Sequence, residues 1–242
     1  MALKLLVSPI NSSEAMEALT GGADIIDVKN PSEGSLGANF PWVIRSVCEA
    51  VKGRAPVSAA IGDFDFKPGT ASLAALGAAA SGAHYIKVGL YGTKTAEEAF
   101  ELMRAVSRTI SDFDAGRKMV AAGYADYSRI NSVSLMEIPE IGADVDADVV
   151  MVDTGIKDGK SSFDFLGEEG LFAFVDAARD QGLECALAGA LKFENVEALR
   201  RLAPDIVGVR GVVCGGDRMS TIKGELVREF KRAIAGKRAV VG

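Results

Sequence analysis

Four segments of the chain share one pattern, and this internal repeat limits the available folds more than any other feature. Residues 23–29 read ADIIDVK, 83–89 AHYIKVG, 147–153 ADVVMVD and 204–210 PDIVGVR. They align without gaps at a spacing of about 60 residues, as expected of a fold built from similar units. Strand character recurs eight times in all, at 3–7, 24–29, 56–61, 85–90, 118–123, 148–153, 184–188 and 205–210. Helical patterns lie between, at 13–19, 41–51, 70–80, 95–110, 168–181, 193–201 and 224–235. Eight β/α units in 242 residues predict an α/β fold, a closed (β/α)8 TIM barrel forming a single domain over residues 1–242. A doubly wound sheet would usually have fewer strands and a glycine fingerprint after the first. Here the first strand is followed by Ser8-Pro9-Ile10-Asn11-Ser12-Ser13, which contains no glycine.

The repeat also sorts the side chains. Successive residues of a strand face opposite ways. One parity holds Ile26, Val28, Ile86, Val88, Val150, Val152, Val207 and Val209, all β-branched and apolar, and is expected to face the helices. The other holds Asp27, Lys29, Lys87, Asp153 and Arg210, late in their strands. Charges at the carboxyl ends of barrel strands fall where active sites of this fold lie. A buried ion-pair network is the plainer reading, but five charges from four strands exceed what a core needs.

Three lysines can meet at that end: Lys29, Lys87 and Lys157, the last just past strand 6. An inward lysine is costly unless paired or deprotonated. Neighbouring cations and low dielectric lower an amine pKa and expose a neutral nucleophile. Such an amine forms a Schiff base with a carbonyl substrate. Asp27 and Asp153 supply acid–base capacity and hold the lysines in place. For each lysine alone, a salt-bridged strand end is the competing reading, and Lys160 reads as a solvated loop charge.

A phosphate site is expected after strands 7 and 8, where barrel enzymes often bind this group. The residues concerned are Gly189, Gly211, Gly215 and Gly216, with Arg210 or Arg218 as a charged clamp. The segment 30–39, NPSEGSLGAN, is long for a loop of this kind and reads as functional. Asp63 and Asp65 read as a solvated acidic turn rather than a metal pair. His84, the single histidine, reads as structural, and Tyr85 and Tyr124 as pocket walls. Cys214 has no evident activating base.

Composition narrows the partners. A net charge of −6 without a basic block argues against non-specific nucleic-acid binding. One histidine and three scattered cysteines predict neither a metal site nor a disulfide framework, and disfavour a Ser-His-Asp triad. No segment suggests a signal peptide or a membrane span, so a cytoplasmic protein is expected. The sequence does not set the oligomeric state, although barrels of this size often associate.

Several segments together carry a more specific signal: DVKNP at 27–31, GSLGANFPW at 34–42, KPGT at 67–70, YIKVGLYG at 85–92, AAGYAD at 121–126, DTGIKDG at 153–159 and GVRG at 208–211. They resemble the (5-formylfuran-3-yl)methyl phosphate synthase family, from Leu5 to Arg218. The resemblance implies a (β/α)8 barrel with no metal or organic cofactor. It further implies a lyase-type condensation of two glyceraldehyde 3-phosphate molecules, with loss of one phosphate and two waters, in methanofuran biosynthesis. The family's Schiff-base lysine falls on Lys29 and its proton-transferring lysine on Lys87. Asp153 and Lys157 match two further site residues. Competing expectations are a Schiff-base aldolase acting on another sugar phosphate, a cofactor-free sugar-phosphate isomerase in which Lys87 and Asp153 shuttle protons, and a sugar-phosphate-binding barrel without turnover.

Overall fold

The computed structural model describes residues 2–236; the expected domain limits at 1 and 242 lie outside the described residues. The eight strands are β1 (Lys4–Val7), β2 (Ile25–Val28), β3 (Val57–Asp65), β4 (Tyr85–Gly92), β5 (Lys118–Tyr124), β6 (Val149–Asp153), β7 (Glu184–Leu187) and β8 (Ile206–Val209). Each pairs in parallel with its sequence neighbours, and β1 pairs with β8 to close the barrel. The helices are α1 (Ser12–Thr20), α2 (Pro41–Val51), α3 (Pro68–Ala80), α4 (Ala96–Phe113), α5 (Ile138–Asp144), α6 (Ser162–Asp180), α7 (Val196–Leu202) and α8 (Gly224–Ile234). The repeat therefore marks the even strands of a TIM barrel, as expected.

The two strand parities separate into two apolar clusters. Ile26, Val28, Ile86, Val88, Val150, Val152, Val207 and Val209 all belong to the outer cluster, shared with the helices. Each such buried side chain stabilises the layer by roughly 1.5–3 kcal/mol relative to exposure. The inner cluster is small and includes Leu6, Ile25, Val120, Met151 and Ile206. Between its apolar residues, the inward positions near the strand ends carry the charges.

Two helices differ from the sequence pattern. Helix α5 has no counterpart among the expected helices: it spans seven residues and contains Pro139 and Gly142, so its apolar period is too short to read. Helix α6 begins at Ser162 rather than 168, behind a capping box of Ser161 and Asp164, because the non-helical Gly167 interrupts the pattern. Strand β3 also runs past residue 61 to Asp65, with register shifts against β4 on both sides of Asp63. This places Asp63 in the sheet at the barrel mouth and not in a turn.

Among the described residues no helix is long and apolar enough to cross a membrane.

Candidate active site

Lys29 follows β2, and its backbone N–H is held by the carbonyl of Pro9. Its side chain points inward and is only 7% exposed. Among the described residues the ammonium has one hydrogen-bond acceptor, the Ser35 carbonyl, at 3.5 Å, and no carboxylate within ion-pair distance. Burial, aided by the charges of Lys87 and Lys157, pushes its pKa down to about 7 against the pull of Asp153 and Asp27. At that value a large share of the amine is uncharged near neutrality.

Two ion pairs flank it. In the first, Lys87 of β4 donates to Asp27 of β2 at 2.6 Å, with both side chains essentially sealed from water. Ser8 and Ser58 each donate to the same carboxylate at 2.8 Å. Burial alone would raise the Asp27 pKa, but the charges of Lys87 and Lys29 and these hydrogen bonds bring it below the usual carboxylate range. In the second pair, Lys157 donates to Asp153 of β6 at 2.6 Å and to the Thr154 hydroxyl at 3.0 Å. Against burial, Lys157 and Lys29 hold the Asp153 pKa down to about 2. All five expected catalytic residues, Lys29, Lys87, Asp27, Asp153 and Lys157, therefore converge at the carboxyl end of the barrel.

They do not all face open space. A cavity of about 230 Å³ at the barrel mouth is lined by Lys29, Asp153 and Lys157, and by Arg218 across from them. Lys87 lies below, against the inner apolar cluster and off this cavity's wall. The opposite wall comes from the segments after β7 and β8. Gly189, Ala190, Leu191 and Gly211 line it, and among the described residues none of their backbone N–H groups donates to a protein acceptor. Unpaired N–H groups grouped this way suit an anion.

The expected phosphate residues divide on inspection. Gly189, Gly211 and Gly216 line the cavity, but the Gly216 N–H is bonded to the Gly211 carbonyl. Gly215 stands behind the wall, as the left-handed cap of a short 3-10 turn. Arg210 reaches the cavity, yet its guanidinium is not available as a clamp. Its five N–H groups go to Glu14, to the Ser8, Arg218 and Ser220 carbonyls, with Glu14 accepting from both terminal nitrogens. Arg210 and Glu14 form a buried pair that ties β8 to α1. Among the described residues the Arg218 guanidinium donates only to the Gly34 carbonyl, at 3.3 Å, and is the arginine left for an anion.

Of the remaining expectations, those for Asp63 and Tyr85 need correction, and those for Asp65, His84, Cys214 and Lys160 agree with the structure. Asp63 is not a solvated turn residue: it accepts from the Leu36 N–H at 3.0 Å and from the Tyr124 hydroxyl. Asp65 is exposed and lies beside Lys67. Tyr124 is buried inside the barrel mouth, whereas Tyr85 sits at the start of β4, at the far end from the cavity. The His84 Nδ1 accepts from the Val57 N–H, a structural bond between strands. Burial pushes the Cys214 thiol up to about 11, leaving it unreactive. Lys160 is exposed, as expected.

Sequence reasoning missed the residues that hold these groups in place. Ser58 was findable, since its parity faces inward and β3 pairs it with Asp27. Asp126, which accepts from the Gly155 and Ile156 N–H groups and so shapes the turn bearing Lys157, leaves no local signal. Neither does Glu14, whose partner Arg210 is distant in sequence.

Comparison with known proteins accords with this site. Residues 5–231 match the family described as 4-HFC-P synthase. The (5-formylfuran-3-yl)methyl phosphate synthase of Methanosarcina acetivorans is 61% identical over 228 residues, covering 94% of this chain and 97% of its own. Its counterpart from Archaeoglobus fulgidus is 59% identical over 235 residues, covering 97% of this chain and 100% of its own. A solved 3-hexulose-6-phosphate synthase shares the fold, with a TM-score of 0.66 at 19% identity, covering 97% of this chain and 100% of its own. On the strength of the family match and these identities, the chain belongs to the 4-HFC-P synthase family and is an enzyme of the synthase type.

Proposed function

We propose that this enzyme condenses two molecules of glyceraldehyde 3-phosphate into (5-formylfuran-3-yl)methyl phosphate, releasing one phosphate and two waters, as a lyase-type step toward methanofuran. The atoms balance: two three-carbon units supply the six carbons, and one of the two phosphates is kept. The observation that carries this reading is the Lys29 amine, buried, without a carboxylate partner and open to a cavity rimmed by unpaired backbone N–H groups.

In this reading the neutral Lys29 amine attacks the carbonyl of one triose and loses water to give an imine. The imine acidifies the adjacent carbon, and loss of a proton there makes it a carbon nucleophile toward the aldehyde of the second triose. Asp153 and Lys157, on the cavity wall, move protons at that carbon and during the eliminations. Lys157 also stabilises the departing phosphate, for which a fixed cation is suited. Lys87, behind Asp27, exchanges protons with the site through that carboxylate and by its charge helps keep Lys29 neutral. The retained phosphate lies against Gly189, Ala190 and Gly211 with Arg218 as its cation.

Incubation with glyceraldehyde 3-phosphate and borohydride, followed by peptide mapping, tests the reading. The expected result is a reduced triose adduct on Lys29, with a new near-ultraviolet absorbance from the furan aldehyde in the unreduced control. An adduct without that absorbance would replace the reading by an aldolase. Absence of both would reject imine chemistry.

A further inference from the structure

The loop between β2 and α2 closes over Lys29 and is fastened from several sides. The Leu36 side chain is fully buried in the inner apolar cluster. The Ser35 hydroxyl donates to the Thr154 carbonyl at 2.7 Å, beyond β6. Arg218, from the β8 side, donates to the Gly34 carbonyl. The Leu36 N–H donates to Asp63 at 3.0 Å, and the other oxygen of that carboxylate accepts from the Tyr124 hydroxyl. Burial, then the charge of Asp63, raises the Tyr124 pKa well above the ordinary phenol value, so this donor keeps its proton.

The chain makes room for this carboxylate. A β-carbon on Gly34, at φ +139°, would stand 2.7 Å from one Asp63 oxygen. One on Gly89 would collide with the other oxygen and with the Tyr124 hydroxyl. Two side chains are thus excluded around a group that lines no part of the cavity. The loop it fastens supplies the one acceptor of the Lys29 ammonium among the described residues, the Ser35 carbonyl.

We propose that Asp63 is a positioning residue for the reaction: it latches the 30–40 loop across the barrel mouth, and the latched loop keeps water from the Lys29 amine. The inference rests on Lys29 as the imine-forming residue. Lys29 is faced by Asp27 on its own strand end, Lys87 from β4, and Asp153 and Lys157 from the β6 end. Arg210, Asp217 and Arg218 stand across the cavity, and Asp63 lies behind the loop. These charges give the proposal a sign. Deleting the Asp63 anion acts through charge alone to lower the Lys29 pKa, whereas admitting water raises it toward the ordinary lysine value.

The test is the pH dependence of adduct formation on Lys29, with glyceraldehyde 3-phosphate and cyanoborohydride, read by peptide mapping. In the unaltered protein the rate is expected to rise with a midpoint near pH 7, following the neutral amine. In Asp63→Ala the midpoint moves up by more than one pH unit, which lowers trapping at pH 7 by about fivefold or more. Turnover falls at pH 7 and recovers at pH 9. Asp63→Asn, whose amide oxygen can still accept from Leu36, brings the midpoint back to the original value or slightly below it, since the latch is kept and only the anion is lost. Ser35→Ala, which removes the bond to Thr154, gives a smaller shift in the same direction. It decides the matter if Asp63→Ala fails to fold by circular dichroism. An adduct on Lys29 with an unmoved or lowered midpoint in the deciding alanine variant overturns this inference alone. An adduct elsewhere in the unaltered protein overturns the imine assignment and this inference with it.

Discussion

Lys87 with Asp27 and Lys157 with Asp153 are the same ion pair at the same 2.6 Å, placed at two depths of one barrel. The deep pair is 1% and 0% exposed and is completed by two serine hydroxyls. The upper pair is 19% and 3% exposed and forms part of the cavity wall. Depth assigns different work to the same chemistry. Below, the charges have no solvent and must satisfy one another, and Lys87 reaches the site only by way of Asp27. Above, the lysine end borders the cavity and is reached by water, while its carboxylate stays buried. Lys29 lies between the two with no carboxylate in contact, so burial decides its charge.

The largest effect expected in this comparison comes from removing the residue between the pairs. Lys29→Ala should lower formation of the near-ultraviolet-absorbing product by at least about 10³-fold, as for other covalent nucleophiles. A urea melt should show a smaller loss of stability than breaking the deep pair, because the ammonium removed has no carboxylate in contact among the described residues. Retained turnover would move the nucleophile to one of the two pairs.

Next comes the deep pair. Asp27→Asn leaves the Lys87 ammonium buried without a counter-ion and should cost about 3–5 kcal/mol in urea unfolding. Adding Lys87→Met to Asp27→Leu should recover most of that loss, though not the activity. If Asp27→Asn is as stable as the parent protein, the deep pair is not the sealed unit described above.

For the upper pair the two readouts should separate in the other direction. Lys157→Met should slow turnover by about 10²-fold. It should cost less stability than Asp27→Asn, since the Lys157 end of the pair is reached by water and the Asp153 end is buried. Equal losses in both measurements would erase the distinction between the pairs.

The smallest effect is an acid titration. The folded Asp153 pKa is depressed, so its contribution to stability is present in full above the ordinary value of 3.8 and is lost as pH falls through about 2. Thermal melts of the parent should fall across that window, and those of Asp153→Asn should fall less steeply there. Identical slopes would show that Asp27 and the surface carboxylates account for the acid sensitivity.

Much of this molecule is legible before folding. The barrel could be read because its outer layer is regular: Ile86 and Val88, or Val150 and Val152, alternate with inward residues in every repeat. Four of the charged residues, Asp27, Lys29, Lys87 and Asp153, could be read because charge is rare on an inward parity, and Lys157 because it follows a strand end at the same face. The loop 30–39 was legible as functional, but not the way it works, since Leu36 looks like any apolar loop residue. Asp63 was misread because β3 continues four residues beyond its apolar run, carried there by pairing with β4.

The sequence by itself determined which side chains enter the barrel and at which end, because strand alternation and element order are local properties. Tertiary structure decided who meets whom. It occupied Arg210 with Glu14, 196 positions away, and with three backbone carbonyls, leaving Arg218 as the arginine turned to the cavity. It sealed Lys87 and opened Lys157, and it brought the Ser35 carbonyl to Lys29 and the Leu36 N–H to Asp63. Solvent exposure and charge pairing depend on distances between segments remote along the chain, and those distances exist only once the barrel has closed.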